Sequence, residues 1–414
     1  MIFNKPYSPR MVVVMLACFA ANIPTYVLAQ EVIAVVDDRV DSSVDSGIET
    51  VPLAPLVRQD QVKHEGWELG AALSAAYDSN IFLSSKDATS DMVYRLGPAV
   101  AYTKGDATEG EGAFIKVAYR PTGVVYGKNN ADNRIDHQAA ITAGWRGKVT
   151  ELTYTGAAQK LGDATAETGR QTDRVEFENE IRLAWLPREK VTLEVAAGNK
   201  QADYADPTLY DSSKTYGEVA VRYAYSPKTR VGLVYQIGRF KVDGSSDQNT
   251  QQLTADIDWK PREKIDIKLE AGAEHRKVEH QTQVTPVVKG RVEWTPREGT
   301  NVYVTGYQRQ EASAFYAGQN YNVKGATAGV SQRIRGNWSA RLEGGVEKAA
   351  YTRVSGSGAS GRKDRIWFIR PAIEYKISDA LNVSIFYRAS DNSSNDEDFG
   401  YAQRMAGIEL NYKF

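Results

Sequence analysis

From about residue 65 to the C-terminus, apolar and polar residues alternate one by one in segments of about 12 to 15 residues. In the segment ending at Trp185, Val175, Phe177, Ile181, Leu183 and Trp185 share one face, and Arg174, Glu176, Glu178, Glu180 and Arg182 the other. Ile265, Ile267, Leu269, Ala271 and Ala273 likewise oppose Asp266, Lys268, Glu270, Glu274 and Arg276. Leu253, Ala255, Ile257 and Trp259 oppose Thr254, Asp256, Asp258 and Lys260. A period of two predicts β-strands with one apolar and one polar face. At this length they are well beyond the usual strand of about five or six residues. The segments are punctuated by an aromatic residue, a spacer, proline and a basic residue: Trp185-Leu186-Pro187-Arg188, Tyr225-Ser226-Pro227-Lys228, Trp259-Lys260-Pro261-Arg262 and Trp294-Thr295-Pro296-Arg297. Proline cannot donate to a strand ladder, so each phrase predicts a strand end and a tight reversal. Related reversals stand at Trp145-Arg146-Gly147-Lys148, Arg335-Gly336-Asn337-Trp338 and Ile377-Ser378-Asp379, and the spacing is roughly 34 to 43 residues.

A repeat of that length holds two long strands and a loop, the rhythm of an outer-membrane β-barrel. A soluble sandwich also alternates, but its strands are shorter. Trp145, Trp185, Tyr225, Trp259, Trp294, Trp338 and Tyr375 all fall at the short-turn end, where a periplasmic aromatic girdle belongs. Short turns near Gly105, Gly147, Pro187, Pro227, Pro261, Pro296, Gly336 and Asp379 each join two strands. With a first strand from Trp67 and a last one ending at Phe414, the total is about eighteen. The predicted fold is all-β: a transmembrane, antiparallel, up-and-down barrel over residues 65–414. Its longer connections, at 84–90, 128–133, 162–172, 206–214, 244–249, 356–363 and 391–398, face outside. None is long enough for a full plug, and none is marked to fold inward, so an open or partly constricted lumen is expected. Pro286, Pro371 and Asn179 fall on the lipid face, where the prolines require gaps or bulges.

The N-terminus changes the picture by adding a route to the membrane. Lys5 and Arg10 precede an apolar run broken by Asn22, Pro24 and Thr25, followed by Val27-Leu28-Ala29. Residues 1–29 read as a cleaved secretory signal, too short and broken for a spanning helix. A lipoprotein box at Met15-Leu16-Ala17-Cys18 competes, but Met is a poor first residue for it. Residues 30–64 show no alternation and read as a flexible periplasmic extension, with Val32-Ile33-Ala34-Val35-Val36 as a candidate docking strand. Cys18 is the only cysteine and leaves with the signal, so the mature chain has no disulfide or thiol chemistry. A net charge of −1 argues against a nucleic-acid partner. Negative mean hydropathy suits a barrel with a polar lumen and polar loops.

Candidate chemistry is sparse. Of four histidines, His64 lies in the extension, and His275 and His280 fall on opposite faces of one strand and cannot share a metal. His137 reaches the lipid face, but no serine nucleophile stands beside it. Asp396-Glu397-Asp398 reads as a solvated loop before a cation site. No phosphate loop, zinc spacing or dinucleotide fingerprint is present, and no cofactor or enzymatic activity is expected. The inferred lumen face carries both signs of charge: Arg174, Glu176, Glu178, Glu180, Arg182, Lys268, Glu270, Glu274, Arg276, Lys289, Arg291, Glu293, Arg341, Glu343 and Glu347. Such a wall suits a hydrated, polar solute, and small-solute porins and polysaccharide conduits share it. Ile408, Leu410, Tyr412 and Phe414 form an alternating terminal strand that resembles the signal read by the barrel assembly machinery.

The opening strand, Gly70 through Tyr77-Asp78-Ser79-Asn80-Ile81-Phe82, is followed by Ser90-Asp91 and a second strand with Gly97-Pro98. This resembles the putative β-barrel porin 2 family, whose barrels are commonly encoded in exopolysaccharide gene clusters. The resemblance runs over residues 65–414, with the Tyr77–Phe82 phrase its distinctive part. It implies an eighteen-stranded barrel in the outer membrane of a Gram-negative bacterium that passes secreted polysaccharide. It also implies a periplasmic polysaccharide-export protein as partner, and no catalytic residues. Asp78 and Asn80 are turn-forming residues, so the phrase itself is expected to shape the first external loop. An uptake porin is the alternative function, and a surface barrel without transport a third.

Overall fold

A computed structural model describes residues 65–105, 110–316, 319–353 and 361–414. The expected signal sequence (1–29) and extension (30–64), with Cys18 and His64, lie outside the described residues, as does most of the 356–363 connection. The first strands are β1 (Gly66–Asp78), β2 (Asp91–Lys104), β3 (Gly112–Tyr126), β4 (Arg134–Arg146) and β5 (Thr150–Leu161). Next come β6 (Arg174–Arg188), β7 (Val191–Tyr204), β8 (Ser212–Ser226), β9 (Thr229–Val242), β10 (Gln248–Arg262) and β11 (Ile265–Val278). The last are β12 (Gln281–Trp294), β13 (Thr300–Ala312), β14 (Gln319–Arg335), β15 (Trp338–Arg353), β16 (Lys363–Lys376), β17 (Leu381–Ser394) and β18 (Tyr401–Lys413). Each pairs antiparallel with its neighbours, and β1 pairs with both β2 and β18, closing an eighteen-stranded barrel. Closure joins the first strand to the last, so that no strand is left as a lone edge in lipid.

The alternation sets the two faces. Leu253, Leu269, Leu183, Val195, Val219 and Ile237 are exposed on the outside of the wall, as a lipid-facing surface demands. The aromatic-Pro-basic phrase proves to be a β-bulge. The register shifts between Trp185 and Arg188, between Ala224 and Ser226, and between Trp259 and Arg262. The fourth copy enters a longer turn, closed by the Thr300 amide donating to Arg297 O (3.1 Å), with Gly299 at φ +75°. Pro371 lies in a gap: β16 and β17 pair at Ile369–Ala389 and again only at Ala372–Phe386. Pro286 marks a larger one. The β12–β13 ladder holds seven residue pairs, from Val288 to Trp294, the fewest of any seam. Above it, no backbone pairing joins 281–287 to β13 among the described residues. Side chains bridge the gap instead, with Gln310 donating to Gln283 (2.8 Å) and accepting from Thr285 (2.9 Å).

Three expectations are corrected. There are nine outer connections, not seven: β11 and β12 are joined through Glu279 and His280, and β13 and β14 through 313–318. His280 therefore sits in a turn and not on a strand with His275. The predicted connections at 206–214 and 391–398 are also shorter than expected, because β8 begins at Ser212 and β17 runs to Ser394. Third, the 162–173 connection does fold inward. A two-residue ribbon pairs Ala164–Thr165 with Arg170–Gln171 and carries Ala166, Glu167 and Thr168 into buried positions. It starts between β5 and β6 and contacts 313–314, eight strands round the ring, so it crosses the mouth of the barrel.

Candidate functional site

The inward face of the wall is a succession of ion pairs set by the strand register. Near the outer end, Arg174 pairs with Glu176 (2.9 Å) and Asp163 (3.0 Å), and Lys200 with Glu178 (2.7 Å). Lower down, Arg182 meets Glu180, Glu194 and Glu218, each at 2.9 Å. Arg222 continues this belt from Glu194 to Asp256 (3.3 Å), and Tyr216 donates to Glu180 (2.9 Å). Guanidinium–carboxylate bonds of this kind are short and directional, which fixes the wall's charge pattern in place. Elsewhere Arg276 pairs with Glu274 (2.8 Å) and donates to Gln248 (3.1 Å), and Arg291 pairs with Glu293 (2.6 Å). Glu270 stands opposite Lys289, and Lys268 opposite Arg291. Tyr307 donates to Glu347, Tyr303 bonds Glu343, and Arg341 lies within electrostatic reach of Tyr303. Glu194, Glu218 and Arg222 were not singled out from sequence, although the same alternation applied to β7 and β8 finds them.

Exposure differs between the two ends of β11 and β12. The outer pair, Arg276 and Glu274, is 4% and 6% exposed, whereas the periplasmic pair, Arg291 and Glu293, is 42% and 40% exposed. On β11 and β12 the outer end is thus the more closely covered, whereas on β1, β16 and β18 Glu68, Glu374 and Glu409 are buried toward the periplasmic end as well.

At the outer end the 162–173 loop is seated. Ala164 and Ala166 pack with Leu83, Ile366 and Tyr401. The Glu167 carboxylate, 7% exposed, accepts from the Ala314 amide (2.6 Å) and the Ser313 hydroxyl (3.1 Å). Arg362 donates to the carbonyls of Ala166 (2.7 Å) and Glu167 (2.8 Å), pairs with Asp364 (2.6 Å), and lies over the rings of Phe399 (3.5 Å) and Tyr351 (4.7 Å). Arg170 reaches Thr208 (2.6 Å) and Asp206 (2.8 Å), and Gln171 donates to Tyr126 (2.8 Å). Burial pushes the Glu167 carboxyl above its usual range, opposed by the Ala314 amide and the Arg362 charge. None of these seat residues carried a mark in the sequence.

The remaining candidates resolve locally. The Tyr77–Phe82 phrase is a clasp. Asp78 accepts from the Asn80 amide (2.9 Å), and the buried Asn80 side chain donates to Ser84 O (2.9 Å) and Ala402 O (3.2 Å). His137 bonds the Tyr119 hydroxyl (2.8 Å). In the acidic loop, Asp396 accepts from Tyr316 (3.1 Å) and Glu397 pairs with Lys86 (3.6 Å). No cluster of three metal-ligating side chains occurs among the described residues. Trp145, Trp185, Tyr225, Trp259, Trp294 and Trp338 are exposed on the outer surface, and Tyr375 is half-buried against Trp338 at 4.6 Å. Ile408, Tyr412 and Phe414 are exposed, Leu410 is half-buried, and the Phe414 amide donates to Leu69 O (3.0 Å) across the closing seam.

Residues 281–414, β12 to β18, match the model of the family described as putative beta-barrel porin 2. No curated protein sequence matches the chain. Among solved structures, OccAB3 of Acinetobacter baumannii is similar at 11% identity and a TM-score of 0.46, covering 84% of this chain and 99% of that one. The outer membrane protein OpdK of Pseudomonas aeruginosa is similar at 10% identity and a TM-score of 0.43, covering 84% and 98%. The closed eighteen-stranded wall and its apolar belt make this an outer-membrane β-barrel of a Gram-negative bacterium, and β12 to β18 are similar to the putative beta-barrel porin 2 family.

Proposed function

We propose that this porin barrel exports a secreted exopolysaccharide, as a passive conduit driven by synthesis and by a periplasmic polysaccharide-export protein. The observation that carries the reading is the ladder of paired charges on the inner wall, from the hydrated Arg291–Glu293 pair to the buried Arg276–Glu274 pair. A chain of sugar hydroxyls exchanges hydrogen bonds along such a ladder one pair at a time, so no single contact traps it. In this reading Arg174, Arg182, Lys268, Lys289, Arg341 and their carboxylate partners form the track. The family match and the Tyr77–Phe82 phrase support the polysaccharide assignment. The girdle anchors the barrel in lipid, and the Ile408 to Phe414 strand serves the assembly machinery.

A second reading, uptake of small polar solutes, is favoured by the inward-folded 162–173 loop, since a crossed mouth sorts by size. A clean deletion decides between them. Export expects secreted polysaccharide to fall to background with small-solute uptake intact. Unchanged polysaccharide with impaired uptake would reject export.

A further inference from the structure

We propose that the Ser313 hydroxyl, the Ala314 amide and the Arg362 guanidinium form a carboxylate-binding seat at the outer mouth. At rest the chain's own Glu167 fills it, and a carboxylate on the cargo takes it when the 162–173 loop withdraws. The inference rests on the conduit reading and adds a substrate class to it: an acidic cargo, with uronic acid units or as a small carboxylate solute.

Three observations carry it. A loop that only stoppered the mouth would end in apolar residues, like Ala164 and Ala166 beside the tip, which pack on Leu83, Ile366 and Tyr401. The tip instead buries a carboxylate, which is costly unless donors await it. Two donors converge on one oxygen, the Ala314 amide at 2.6 Å and the Ser313 hydroxyl at 3.1 Å.

The seat also belongs to the wall opposite the loop and is held independently of it. Arg362 is fixed by Asp364 at 2.6 Å and by the rings of Phe399 and Tyr351. At rest its two terminal nitrogens hold the loop's Ala166 and Glu167 carbonyls, at 2.7 and 2.8 Å, and not the Glu167 carboxylate. Loop withdrawal takes those two carbonyls away, and the guanidinium, still held by Asp364 and the rings, presents its terminal nitrogens to an incoming carboxylate. Glu167 is thus a tethered competitor, at an effective concentration on the order of millimolar.

The test uses purified full-length protein in planar bilayers. Block of single-channel current is measured with trigalacturonate, uncharged maltotriose and benzoate, for the wild type and Glu167→Ala. Heat-modifiable gel mobility confirms that each variant is folded. Trigalacturonate is expected to block Glu167→Ala at about tenfold lower concentration than wild type, because the tethered competitor is gone. Maltotriose shows no such change, and adding Ser313→Ala reverses the gain. A gain with benzoate alone keeps the seat but assigns it to a small carboxylate, against polymer export. Equal block by charged and uncharged sugars, or a block indifferent to Glu167→Ala, overturns the seat even where deletion abolishes polysaccharide secretion.

Discussion

Arg182→Met tests the inner wall most directly. Arg182 is the positive centre of the belt, 2.9 Å from each of Glu180, Glu194 and Glu218. Methionine keeps the stem and removes one unit of positive charge. At about 8 Å, in a water-filled lumen, one charge is worth roughly 0.5 kcal/mol to a passing monovalent ion. A cation gains that amount and an anion loses it, so the difference of about 1 kcal/mol raises the cation-over-anion permeability ratio roughly sixfold. The guanidinium is 26% exposed, so water can re-solvate the carboxylates left behind and the barrel should still fold. The assay is the reversal potential across a planar bilayer under a KCl gradient. It is made at low salt, because a Debye length of about 10 Å at 0.1 M already damps the effect. A ratio that moves less than about twofold would refute the argument, since the charge would then lie outside the ion path.

Other consequences are equally direct. Because burial raises the Glu167 carboxyl, the docked loop prefers its protonated form. The part of docking that depends on protonation is therefore fully present at pH below the ordinary carboxylate range and fades as pH rises through the raised value, leaving the weaker hold of the Ala314 and Ser313 donors and the Arg362 charge on the carboxylate. Arg362, Glu311, Tyr204 and Tyr351 are the charged or titratable groups facing it. Open probability should rise with pH in the wild type and be flat across that window in Glu167→Gln; identical profiles would remove Glu167 as the cause. In hydrogen exchange, the alternate amides of 281–287 that point toward β13, where they find no backbone partner, should exchange at least about tenfold faster than the β13-paired amides between Val288 and Val292. Uniform protection along β12 would contradict the open seam. Phe414→Ser, which strips the ring packed edge-on to Tyr412 at 4.7 Å, should lower the fraction of chain reaching the heat-modifiable folded form in cells. An undiminished fraction would leave Phe414 without a part in assembly.

Much of the fold was legible because a wall one residue thick, with lipid outside and water within, forces a period of two on every strand. Arg174 to Trp185 shows this in a dozen residues. The aromatic-Pro-basic phrase was legible as a chain reversal, since proline cannot continue the ladder; that three copies are bulges required the register. The turn at Glu279 and His280 escaped because alternation runs through it without glycine or proline. Glu279 itself adopts φ 51°, the left-handed conformation glycine would have flagged. The mouth was illegible for a different reason. Glu167 and its partners Ser313 and Arg362 lie 146 and 195 residues apart in the chain, and only ring closure brings them together. In the sequence, the Asp, Thr, Glu and Gly of the 162–173 loop look like any solvated connection.

A closed ladder is also a hoop, and a hoop stretched from within yields at its thinnest link. Here that link is the β12–β13 seam, with seven backbone pairs below Pro286 and the Gln310 side-chain amide tying the upper half. Anything wider than the resting bore, pressing outward near the mouth, spends its force there and not evenly round eighteen strands. The barrel should then widen like a sleeve slit partway down its side, hinged on the intact ladder from Val288 to Trp294, with the outer leaflet bordering the slit.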